Sequence, residues 1–115
     1  MPYARVVATH RAPVGANIRI ESGEAVTLGA RDDEWPEFVW TQVATGLGGW
    51  IPATLFDQPS GAAIAQADYD TRELAVEIGE RVIVHRELAG WWWAENDKGA
   101  SGWIPDRVIR QFREE

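Results

Sequence analysis

Gly49-Trp50-Ile51-Pro52 returns as Gly102-Trp103-Ile104-Pro105, 53 positions further on, and this repeat organises the whole chain. To its left, at the same offset, Phe38-Val39-Trp40-Thr41 falls on Trp91-Trp92-Trp93-Ala94, so an aromatic run precedes each copy by the same interval. Ser22-Gly23-Glu24-Ala25-Val26 matches Ile78-Gly79-Glu80-Arg81-Val82 at an offset of 56, which also pairs Ile18 and Ile20 with Leu74 and Val76. At an offset of 59, Val6, Ala8 and His10 fall on Ala65, Ala67 and Tyr69. The offset shrinks in two steps of three, so the first copy has three extra residues in the loop before Ile18 and three before Phe38. Insertions confined to loops, with strand spacing kept, mark duplicated folded units.

Asp57-Gln58-Pro59-Ser60-Gly61 is a cluster of turn formers between the copies. It predicts a domain over residues 1–57, a linker at 58–61 and a second domain over 62–115. Each is near the size limit for one unstapled core, so the two are expected to bury surface against each other. Ala25–Leu28, Arg81–Val84, Phe38–Thr41 and Trp91–Ala94 are short runs rich in Val, Ile, Thr and Trp, alternating with period two. Ala44–Gly48 and Glu95–Gly99 carry the residues of hairpin turns. No stretch keeps a helical period over three turns. The expected fold is all-β, two small antiparallel β-barrels in tandem.

Composition narrows the functions. The 115 residues include no cysteine, which leaves no disulfide framework, thiolate metal site or thiol nucleophile. His10 and His85 lack carboxylate partners at ligand spacing, so neither a metal nor a cofactor is expected. Eighteen carboxylates against eleven basic residues give a net charge of −7, the wrong field for nucleic acid or anionic lipid. The two halves share it almost evenly, −3 over residues 1–57 and −4 over 58–115. No leader or membrane span is read, and a cytoplasmic chain is expected. No Ser-His-Asp set, HExxH or phosphate-binding glycine loop occurs, so the protein is not expected to be an enzyme.

The second copy resembles a Src homology 3 (SH3) domain over nearly all of residues 62–110. Ala65-Gln66-Ala67-Asp68-Tyr69-Asp70 resembles the family's ALYDY segment, Glu73-Leu74-Ala75-Val76 its ELSF segment, and Trp91-Trp92 its tryptophan pair. Gly102-Trp103-Ile104-Pro105 resembles the element before the closing turn. The first copy resembles a divergent form of the same fold, of a kind found in bacterial proteins. The resemblance implies an aromatic groove that grips a polyproline II helix, flanked by acids that hold a basic ligand residue. Carried over residue by residue, it implies Tyr69, Trp91, Trp103, Pro105 and the acid Glu73 in the second copy. In the first it implies Phe38, Trp50, Pro52 and, at the tyrosine position, His10. Two groove tyrosines are replaced, by Ala67 and Val108.

Trp35, among Asp32, Asp33, Glu34 and Glu37, could stack a cationic side chain that pairs with these acids, worth ~1 kcal/mol per contact at an exposed site. The leading expectation is thus an adaptor or regulatory module that binds extended basic or proline-containing peptides. The alternative is a structural unit whose aromatic faces are consumed by interdomain or homodimer contacts. Nucleic-acid or cell-wall peptide binding is disfavoured by the acidic charge and the absent export signal.

Overall fold

The computed structural model describes residues 3–13 and 17–112. Its strands, in chain order, are β1 (Tyr3–Val6), β2 (Arg19–Ile20), β3 (Ala25–Arg31), β4 (Phe38–Gln42), β5 (Gly48–Pro52) and β6 (Gly61–Ile64). They continue as β7 (Tyr69–Asp70), β8 (Arg81–Leu88), β9 (Trp91–Glu95), β10 (Ser101–Pro105) and β11 (Ile109–Phe112). Single 3-10 turns at Ala53–Leu55 and Asp106–Val108 follow the two GWIP strands, and the described residues contain no α-helix. No helix among them is long and apolar enough to cross a membrane.

The all-β expectation holds, and all four sequence-read strand runs lie in strands. Matching local sequence makes matching local structure. Gly23 and Gly79 both take φ near +90° in the turns before β3 and β8, a backbone that side-chain-bearing residues rarely adopt. In each turn a glutamate closes the bend: Glu24 Oε1 accepts from Glu21 N–H at 3.1 Å, and Glu80 Oε2 from Glu77 N–H at 2.8 Å. The hairpins β4–β5 and β9–β10 turn through Gly46 and Gly99, also at positive φ.

The compact units, however, do not follow the repeats expected at 1–57 and 62–115. One unit is Met1–Val14 together with Arg72–Glu115; the other is Gly15–Thr71. The segment expected as a linker, 58–61, lies inside the second of these and runs into β6. The reason is strand pairing. In the first unit the sheet order is β10-β9-β8-β1-β11, so the first strand of the chain sits in the middle of a sheet otherwise built from the second copy. Ala4 faces Val82 on one side and Gln111 on the other, and Ala4 and Val6 are buried with Val82, Val84, Ile104 and Val108 in one core. In the second unit the order is β5-β4-β3-β6, and β6, the counterpart of β1, pairs with β3. Its core holds Ile18, Ile20, Val26, Leu28, Val39 and Ile51, and Ile20 pairs with Tyr69 across β2 and β7.

This exchange redistributes charge. Gly15–Thr71 carries two arginines and nine carboxylates, net −7, while the other unit carries nine basic and nine acidic residues, net zero. The near-even division expected from the two halves does not describe the folded units, called below the acidic and the neutral unit.

Candidate functional site

The ten residues singled out from sequence fall five and five, but not in the expected groups. His10 joins Glu73, Trp91, Trp103 and Pro105 in the neutral unit; Tyr69 joins Trp35, Phe38, Trp50 and Pro52 in the acidic unit. The two residues at the tyrosine position of the repeat have changed places.

In the neutral unit, His10 N–H donates to Val76 O at 3.0 Å and Val76 N–H returns a bond to His10 O at 2.9 Å, which fixes the segment after β1 against the one before β8. This aims the imidazole at two groups. Its Nε2 lies 2.8 Å from Glu73 Oε1, and its ring stands edge-on to Trp91, centroids 5.6 Å apart and planes at 76°. Trp91 opens β9 opposite Pro105 and is half-buried. Glu73 is held from below: Trp103 N–H donates to Arg72 O at 2.9 Å and Leu74 N–H to Trp103 O at 3.1 Å. A Cβ on Gly102 would stand 2.7 Å from the Glu73 carbonyl carbon, so only glycine allows this approach. Burial pushes the Glu73 carboxyl above the usual glutamate range, and the hydrogen bond and charge of His10 pull it partly back.

Trp103 and Pro105 are buried. The Trp103 ring meets Trp93 edge-on at 5.3 Å, and the Arg86 guanidinium lies 5.6 Å from its centroid. Trp92, which alternation sends to the opposite face, packs on the core and donates from Nε1 to Asp106 Oδ1 at 2.8 Å.

In the acidic unit, Tyr69, Phe38 and Pro52 are buried, and Phe38 and Pro52 face each other across β4 and β5. Trp35 is half-buried in a turn closed by its own N–H on Asp32 Oδ2 at 2.8 Å and by Phe38 N–H on Trp35 O at 2.8 Å. Asp32 is thereby spent on the turn, leaving Asp33, Glu34 and Glu37 exposed. Trp50 is exposed and meets Trp40 edge-on at 5.2 Å. Sequence reasoning passed over Trp40 and Arg86, although the repeat aligns Trp40 with Trp93 and supplied the signal.

His85 Nε2 lies 3.4 Å from Glu95 Oε1 on the surface. Among the described residues no group of three or more His, Asp or Glu side chains is placed to hold a metal.

These surfaces lie in an all-β chain with paired tryptophans and a histidine-bonded acid. Residues 64–106 match the family model of the SH3 domain, a non-catalytic interaction module that binds proteins or peptides, typically proline-rich ones. The match runs from β6 to the turn after β10, so it spans Ile64–Thr71 of the acidic unit and Arg72–Asp106 of the neutral one. No curated protein and no solved structure matches the chain.

Proposed function

We propose that the chain is a non-catalytic adaptor or regulatory module whose neutral unit binds an extended, basic or proline-containing peptide along Trp91, His10 and Glu73. The observation that carries this is the Glu73 carboxylate, bonded to His10 and set beside the part-open Trp91 indole within a segment matched by the SH3 family. Proline rings of a polyproline II ligand stack on the indole at little entropic cost, because that helix is already extended before binding. A basic ligand residue then competes with His10 for Glu73. Titrating labelled protein with proline-rich basic peptides and following amide shifts tests this: shifts should centre on Trp91, Glu73 and His10. No shift there up to millimolar peptide overturns it.

A structural reading has its own support, since Tyr69, Phe38, Pro52, Trp103 and Pro105 are all buried. In that reading the remaining aromatic surface is covered by a second copy. Quenching with a neutral reagent separates the two, because fewer than two accessible indoles would favour the structural role.

A further inference from the structure

The same tryptophan pair is built twice, once with a cation and once without. Trp93 faces Trp103 across β9 and β10, and Trp40 faces Trp50 across β4 and β5, with ring separations of 5.3 and 5.2 Å and interplanar angles of 74° and 73°. On the strand next to Trp93, Arg86 is its partner and reaches over Trp103. The register of β3 against β4 (Leu28 with Thr41, Arg31 with Val39) reproduces that of β8 against β9 (Val84 with Ala94, Glu87 with Trp92). The counterpart of Arg86 is therefore Ala30, which carries no cation. Trp103 is 3% exposed, whereas Trp40 and Trp50 are each 39% exposed. The Trp40 indole lies over the backbone of Gly48, where a Cβ would stand 2.4 Å from its ring, so no side chain at that position covers it.

We infer that the Trp40–Trp50 pair is a docking surface for an arginine side chain of a partner polypeptide, which takes the place that Arg86 holds in the neutral unit. Charge selects this occupant. The surface belongs to the unit that carries all of the net −7, which draws in a basic segment and repels the same face of a second copy. A guanidinium is planar and weakly hydrated, stacks on indole better than an ammonium does, and is the group the protein itself uses on the other pair. The pair belongs to a different unit from Trp91 and needs no proline in its ligand.

The test uses the full chain and a proline-free peptide of alternating arginine and glycine, read by the indole N–H signals of all tryptophans. Trp40 and Trp50 should shift and saturate, and the lysine analogue should bind roughly three-fold more weakly. Ala30→Arg supplies the cation in cis and should weaken binding roughly five- to ten-fold while the circular dichroism spectrum stays unchanged. Unaltered peptide affinity in A30R, or shifts at Trp91 with none at Trp40 and Trp50, would overturn the inference. Concentration-dependent dimerisation that hides both indoles would overturn it equally. A neutral proline-rich peptide, run in parallel, reads the Trp91 face alone, so either reading can fail without the other.

Discussion

His10 Nε2 lies 2.8 Å from Glu73 Oε1, although the two residues are 63 positions apart and belong to different copies of the repeat. Burial raises the Glu73 carboxyl and His10 opposes the rise, so the folded state favours the protonated acid over what an unfolded chain would show. The stability this gives is fully present below the unfolded-chain value and is lost as pH rises through the folded value. Denaturant midpoints of the native protein should therefore fall relative to Glu73→Gln as the pH climbs through that range. His10→Phe, which removes the opposing pull, should move the crossing to higher pH. Parallel curves for native protein and E73Q would contradict the assignment.

Arg5 has Arg81 and Arg110 as its two cross-strand partners. Had β1 stayed with its own copy, the pairing of β6 with β3, in which Ile64 faces Ala25, would place Arg5 opposite Ala25 instead. Because the chain has no cysteine, the alternatives can be trapped cleanly. Directly opposed strand positions lie within disulfide reach. Arg5→Cys with Arg81→Cys should cross-link within one chain on mild oxidation, and Arg5→Cys with Ala25→Cys should stay reduced, as read by intact mass and thiol titration. The reverse pattern would show that each repeat folds on itself.

Gly102 and Gly49 are equivalent in sequence and unequal in surroundings. A Cβ at Gly102 meets backbone of Glu73 and Leu74 at 2.7 Å, while one at Gly49 meets the Thr71 and Ile18 side chains at 3.0 and 3.1 Å. Backbone yields less than a methyl group. Gly102→Ala should cost ~3 kcal/mol in urea unfolding and Gly49→Ala ~1 kcal/mol.

Ile104 shares its core with Ala4 and Val6. Ile104→Val should cost ~1 kcal/mol, and hydrogen exchange should quicken at the Ala4 and Val6 amides as well as in β8 to β11. An effect confined to residues after Arg72 would argue against β1 as part of that core.

Much of this was legible in the sequence because its signals are local. Period-two runs placed the strands, and the turn formers of Ala44–Gly48 and Glu95–Gly99 placed two hairpin turns, where Gly46 and Gly99 take positive φ. The candidate site was only partly legible. Trp91, Glu73 and Pro105 were grouped together and share a unit, but His10 was assigned to the other copy. Trp103 and Tyr69 carry groove positions of the family yet are buried, since an aromatic residue at a strand position says nothing of what packs over it.

The sequence by itself determined that the chain is all-β, the runs that form β3, β4, β8 and β9, and the hairpin turns at Ala44–Gly48 and Glu95–Gly99, because those properties depend on neighbours a few positions away. It also carried the SH3 resemblance. The repeat assigned β1 to the domain expected at 1–57, and the folded units do not follow that assignment. β1 and β6 are equivalent in the repeat, so either suits β3 or β8 by local pattern, and strand pairing is a contact between distant segments that no local preference specifies. The tertiary structure gave β1 to β8 and β11, and β6 to β3. That single choice brought His10 to Glu73 and Trp91, moved Tyr69 to the other unit, and gathered the whole net charge of −7 onto Gly15–Thr71.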